Sequence, residues 1–210
     1  MEAAAVRQES YSCHRSSHSE TLVTDHRVGT DNVPMKEFTV AAGCFWCLDA
    51  VYQRTRGVSS SICGYTGGET VDPTYSEVCS GQTGHAEAIR VTFDEDVVPE
   101  DVIMDMFFTT HDPTSLNRQG FDIGTQYRSA LFYRDEAEKK FFEDQIARAQ
   151  RLFDAPIVTT LEPSQTFYRA EEVHQDFERE NPYSGYCQVI IGPKLRKARE
   201  YYKMWLDPAV

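Results

Sequence analysis

Phe38-Thr39-Val40-Ala41-Ala42-Gly43-Cys44-Phe45-Trp46-Cys47-Leu48 is the stretch on which the fold turns. Its first five residues form an apolar, strand-like run. Beyond them Leu48, Val51 and Tyr52 fall on one face of a helical pattern. A strand therefore passes into a helix here, and Cys44 stands in the first turn of that helix. Unpartnered backbone N–H groups and the positive end of the helix dipole favour thiolate over thiol at such a position. Phe45 and Trp46 would wall an apolar pocket beside it. The expectation is a reactive cysteine next to a greasy slot.

Outward from this stretch, strands are predicted at 37–42, 58–63, 86–93, 128–133, 157–161 and 187–191. Helices are predicted at 45–56, 99–111, 135–153, 171–179 and near 194–205. Between Glu136 and Phe153, apolar residues at 137, 141, 142, 146, 149, 152 and 153 keep a 3.6-residue period. Pro99, Glu100 and Asp101 suit a helix opening. Strands and helices alternate loosely with long loops between them, which predicts a two-layer α+β sandwich rather than a doubly wound parallel sheet. The glycine-rich turns at 64–68 and 80–85 and the polar loop from His111 to Tyr127 are the irregular segments, and long loops in a compact domain carry function.

The chain has 210 residues, of which 40% are hydrophobic and 26% charged, an ordinary globular mix. Its net charge of −12 argues against nucleic acid or an anionic membrane as a main partner. The longest uncharged apolar run, Phe38 to Leu48, is too short for a membrane helix. Residues 1–35 are polar and mixed in charge and read as a disordered extension rather than a signal peptide, with one domain over 36–210. Cys13, His14 and His18 belong to that extension, where a metal site would lack a framework. The expected setting is reducing and cytoplasmic, where the six cysteines serve as catalytic, buried or metal-binding groups rather than a disulfide scaffold.

Cys44 and Cys47 make a C-x-x-C at a helix start. It could be a lone nucleophile with a bystander, a thioredoxin-like dithiol, or half of a zinc site in a binding module. Zinc would need a second close pair, and Cys63 and Cys79 are 16 residues apart. Glu87 opens the strand Ala86–Phe93 and shares its face with Ile89, Val91 and Phe93. A carboxyl on an apolar face has a raised pKa and can act as a general acid, although a strand-end residue reaching solvent would look the same. Tyr75 and Tyr127, at the ends of the two polar loops, could donate phenolic hydrogen bonds to a small oxygen. Asp122 is by default a turn residue. Cys187 follows Tyr183-Ser184-Gly185-Tyr186 and reads either as a mobile thiol or as a buried strand cysteine.

Taken together these segments resemble the methionine sulfoxide reductase A family. The resemblance rests on Gly43-Cys44-Phe45-Trp46, Gly64-Tyr65-Thr66-Gly67-Gly68, Pro73-Thr74-Tyr75, Cys79-Ser80-Gly81, Thr83-Gly84-His85-Ala86-Glu87, Asp122 with Gly124-Thr125-Gln126-Tyr127-Arg128-Ser129, and Gly185-Tyr186-Cys187. It implies the ferredoxin-like α+β fold of that family around a mixed, mostly antiparallel sheet. It also implies reduction of methionine S-sulfoxide, free or in proteins, as a repair of oxidative damage. Carried over by position, Cys44 is the nucleophile and Glu87 the acid. Tyr75 and Tyr127 hold the sulfoxide oxygen, Phe45 and Trp46 cradle the methyl group, Asp122 supports the site and Cys187 is the resolving thiol.

No tightly bound cofactor or metal is implied. The implied reductant is thioredoxin with NADPH behind it, and a monomer is expected. Two departures bear on this. Cys47 and Asp49 stand where the family commonly has Gly and Glu, so a local dithiol competes with Cys187 for the resolving role. No cysteine follows Cys187, so a three-thiol relay through the C-terminus is excluded. The expectation is Cys187 as resolving thiol, with Cys47 as a partner in a second exchange.

Overall fold

The computed structural model describes residues 35–207. Cys13, His14 and His18, and the expected disordered extension as far as residue 34, lie outside the described residues. Met35 already belongs to the first strand.

Strand β1 (Met35–Ala42) runs into helix α1 (Phe45–Tyr52), as the sequence predicts, although α1 stops four residues short of the expected end. Strand β2 (Val58–Thr66), the short helix α2 (Tyr75–Cys79) and strand β3 (Ala86–Asp94) follow. Helix α3 (Glu100–Thr110) leads to a two-residue hairpin, β4 (Arg118–Gln119) and β5 (Asp122–Ile123). After it come β6 (Ser129–Tyr133), α4 (Glu136–Ala149), β7 (Thr160–Pro163) and β8 (Tyr168–Arg169). Helices α5 (Phe177–Glu180) and α6 (Gly192–Tyr202) close the described chain. Among the described residues no helix is long and apolar enough to cross a membrane.

Six strands form one sheet in the order β7-β6-β1-β3-β2-β8. Every pairing is antiparallel except that of β6 with β7. The sheet is therefore mixed and mostly antiparallel, as expected. Strand alternation divides its faces. Phe38, Val40, Ala42, Ile89 and Phe93 belong to the large core that includes α1, α3 and α6. Ala41, Ala86, Ala88 and Ala130 are on the reverse side with Phe132, where Phe167 packs against them. Small side chains suit that face, which a loop rather than a helix layer covers. Glu87 shares strand parity with Ile89, Val91 and Phe93, so it points into the helical side and not to solvent.

Two expected elements are corrected. The helix expected at 171–179 is broken into a 3₁₀ turn, Glu172–His174, and the four-residue α5. Buried Gln175 is the cause. Its Oε1 accepts from Cys63 N at 3.0 Å, and its Nε2 donates to Cys63 O at 3.0 Å and Ala170 O at 2.9 Å. The side chain thus serves the backbone of β2 as a neighbouring strand would, and Asp176 next to it takes φ +52°.

The strand expected at 187–191 is instead a π turn, Cys187–Ile191, continuous with α6. Cys187, Ile191, Leu195 and Ala198 are the buried members of this stretch. Their spacing of four, four and three is helical, and β7 and β8 already occupy the sheet edges.

Candidate active site

The turn between β1 and α1 depends on Gly43, which has φ +80°. A Cβ there would lie 2.2 Å from Gln119 Cγ. Gln119 itself is clamped, accepting from Asp112 N at 3.1 Å and donating to Asp112 O at 2.6 Å. Cys44 follows as the N-cap of α1, and Cys47 N donates back to Cys44 O at 3.2 Å, closing the first turn.

The first N–H of this helix does not serve Cys44. Phe45 N donates to Glu87 Oε2 at 3.1 Å. Glu87 is 1% exposed, and burial pushes its carboxyl up to about 8, opposed by the Phe45 N–H and reinforced by the negative charges of Asp122 and Cys47. Burial thus favours the protonated form of this carboxyl.

Burial opposes the thiolate that a helix N-terminus would favour at Cys44. Burial pushes the Cys44 thiol well above its ordinary range, with further increments from Cys47 and from the charge of Glu87. Its neighbour behaves oppositely. The Cys47 thiol is drawn down to about 6 by the neighbouring Cys44 and, against the cost of burial, by the Lys194 ammonium and the Tyr186 hydroxyl.

Tyr75 and Tyr127 are half-buried, with Cys79 near both. Burial raises both phenols, and the charge of Glu87 adds to this, so they stay protonated donors. Glu171 holds the same wall: its carboxylate accepts from Tyr75 N at 2.7 Å and Tyr65 Oη at 2.8 Å. Asp122 is more than a turn residue, since its Oδ2 accepts from Tyr186 Oη at 3.0 Å. Phe45 is buried, whereas Trp46 is half-buried and stacked on Phe177 with centroids 3.7 Å apart and planes 8° apart. The His174 ring lies 5.5 Å from Phe45, 5.6 Å from Trp46 and 4.4 Å from Tyr75.

Cys44, Cys47, Glu87, Tyr75, Tyr127, Asp122, Phe45 and Trp46 are thus gathered at one end of α1. Cys187 opens the π turn with its N–H on Ser184 Oγ at 3.2 Å and its side chain in the core.

Sequence reasoning gave no role to Tyr186, Lys194, His174 or Phe177. No spacing rule connects them to Cys44, and only the packing of α5, the π turn and α6 on α1 brings them there. A cleft of about 460 Å³ lies outside the dithiol, lined by Gln119, Phe121, Asp122, Tyr186, Val189 and Lys194 among others. Among the described residues no group of three His, Cys, Asp or Glu is placed to hold a metal ion.

A family model described as peptide methionine sulfoxide reductase matches residues 36–205. The peptide methionine sulfoxide reductase MsrA of Paenarthrobacter aurescens is 63% identical over 172 residues, covering 82% of this chain and 99% of that protein. The fold is similar to the crystal structure of Mxr1 from Saccharomyces cerevisiae in reduced form, with a TM-score of 0.70 and 35% identity over 75% of this chain and 91% of that one. Mxr1 in complex with Trx2 matches with a TM-score of 0.50 and 27% identity, covering 69% of this chain and 87% of that one.

Proposed function

This chain belongs to the peptide methionine sulfoxide reductase family, and we propose that Cys44 is its sulfur nucleophile and Glu87 its proton donor. The enzyme reduces methionine sulfoxide to methionine and so repairs oxidised protein. The observation that carries the residue assignment is the buried Glu87 carboxyl, protonated at neutral pH and bonded to the first N–H of the helix that Cys44 caps.

A sulfoxide sulfur is a poor electrophile until its oxygen is hydrogen-bonded or protonated, so an acid beside a thiol is the pair the reaction needs. Tyr75 and Tyr127 hold the oxygen with their hydroxyls while Glu87 delivers its proton. Phe45 and Trp46 take the methyl group, and Asp122 fixes Tyr186 over the dithiol. The proton of Cys44 passes to the Cys47 sulfur as Cys44 attacks. The oxygen ends on Cys44 as a sulfenic acid, and methionine leaves as the thioether. The preferred epimer is the S-sulfoxide, free or in a peptide.

A second thiol condenses with the sulfenic acid to give a disulfide, which an external dithiol reduces by exchange. Thioredoxin, itself kept reduced by NADPH, fills that role, a reading supported by the complex of Mxr1 with Trx2. The chemistry calls for no tightly bound cofactor. Five free cysteines among the described residues fit a reducing cytoplasmic setting and a monomer that works alone.

The test is one turnover with methionine sulfoxide and no reductant. Wild type should release one methionine per chain and Cys44→Ser none; a Cys44→Ser rate above a few per cent of wild type would remove the nucleophile assignment.

A further inference from the structure

We propose that Glu171 is a positioning residue for the reduction step: its carboxylate holds the Tyr75 hydroxyl at a fixed place relative to Glu87. The proposal rests on the reading of Tyr75 as a holder of the sulfoxide oxygen and of Glu87 as the proton donor. It adds what keeps those two groups in register.

The need for such a tie starts with α2. A helix of five residues, Tyr75–Cys79, is marginal on its own. Its start is capped reciprocally: Thr74 Oγ1 accepts from Glu77 N at 3.4 Å, and Glu77 Oε2 accepts from Thr74 N at 2.8 Å. That pair leaves unclaimed the N–H of Tyr75, the residue that bears the phenol. Glu171 Oε1 takes it at 2.7 Å.

The other oxygen reaches the sheet. Glu171 Oε2 accepts from Tyr65 Oη at 2.8 Å, and Tyr65 is a buried residue of β2. In the ladder between β2 and β3, Tyr65 is paired with Glu87. Directly opposed residues of adjacent strands place their side chains on one face, so Tyr65 and Glu87 stand side by side on the helical side of the sheet. One carboxylate therefore joins the main chain of Tyr75 to the cross-strand neighbour of the acid.

The turn that carries Glu171 suits this use. Glu171 is the N-cap of the 3₁₀ turn Glu172–His174, yet its side chain caps nothing there. Its carbonyl accepts from His174 N at 2.9 Å, and the His174 ring packs 4.4 Å from that of Tyr75. The same turn thus grips Tyr75 twice, through Glu171 at the main chain and through His174 at the ring. Although the Glu171 side chain is 43% exposed, both of its oxygens accept from protein donors. Without the tie, α2 and its phenol are free to shift, and a misplacement of about 1 Å in a reacting constellation costs on the order of 10²-fold in rate.

The experiment is a double-mutant cycle read by methionine release in a single turnover, with thermal melting of each variant. Glu171→Ala should slow release by roughly ten- to a hundredfold in the wild-type background. In the Tyr75→Phe background, where no hydroxyl is left to place, the same change should cost less than about twofold. Glu171→Gln should keep most of the rate, since its carbonyl can accept from Tyr75 N while its amide donates to Tyr65 Oη. Tyr65→Phe removes one arm of the tie and should give a smaller loss that also vanishes in Tyr75→Phe. It carries the cycle should Glu171→Ala not fold. Equal losses in both backgrounds, or wild-type rates in Glu171→Ala, would overturn the proposal. Wild-type release from Tyr75→Phe would instead bring down the reading of Tyr75 and this proposal with it, so the two failures are distinct.

Discussion

Glu87 Oε2 and the Phe45 backbone N–H are joined by a 3.1 Å hydrogen bond, so the acid on β3 is anchored one residue from the thiol on α1. The bond satisfies a helix donor and fixes the proposed acid beside the first turn that holds the proposed nucleophile. Both the chemistry and the stability of the protein should register it.

Replacing Glu87 by Gln keeps a hydrogen-bond donor and removes the transferable proton, whereas Ala removes both. A general acid contributes about 10²–10⁴-fold, so methionine release in a single turnover should fall within that range, with Gln the milder lesion. In wild type the acid form is lost as pH rises through about 8, so the reduction step should decline above that pH. Glu87→Gln should lack that decline. An unchanged rate in Glu87→Ala would assign the residue a purely structural role.

The same burial costs stability. Between its ordinary pKa of 4.5 and the folded value of about 8, the folded protein holds a proton on Glu87 that the unfolded chain has released. The contribution of this group to folding therefore falls as pH rises across that window. Glu87→Gln should melt higher than wild type at pH 8, by a margin that shrinks towards pH 5. Calorimetry at the two pH values checks this, and a margin independent of pH would contradict the linkage.

Tyr75→Phe and Tyr127→Phe each remove one donor from the place assigned to the sulfoxide oxygen. Loss of one such donor costs on the order of 10²-fold in rate when it bears on the transition state. The double variant should be slower than either single one and should bind no less firmly to thioether product, which has no oxygen to hold. Single-turnover rates with product inhibition constants make the comparison.

Gln175→Ala should destabilise the fold by about 1–3 kcal/mol for each buried backbone group left without a partner. Urea unfolding measures it. Because Gln175 joins His174 to Phe177, the variant should also weaken substrate binding, seen as a raised KM with a smaller change in kcat.

Sequence alone reached the sheet, its mixed character and the strand-to-helix turn, because alternation in β1 and β3 and the period of α4 are local properties of the chain. The burial of Glu87 was legible from its three apolar companions on one strand face. The 187–191 run was misread because four consecutive residues rich in Val and Ile look like a strand until their spacing to Leu195 and Ala198 is counted. The surroundings of Cys44 were not legible in its own segment. A helix N-terminus favours an anion most while its N–H groups are unclaimed, and Glu87, 43 residues away in the chain, claims the first of them. Tyr186 and Lys194 carried no local signal at all, since α6 reaches α1 only through tertiary packing.

Cys79, which neighbours Tyr75 and Tyr127, is half-exposed, while the other four described cysteines are buried. A thiol-directed alkylating agent entering from solvent has easier access to Cys79 than to Cys44. Its adduct would crowd the two tyrosines assigned to the oxygen and halt turnover with Cys44 untouched. Inactivation by iodoacetamide or maleimide is therefore an ambiguous count of nucleophiles in this enzyme. A background in which Cys79 is replaced by Ser or Ala gives the cleaner labelling experiment.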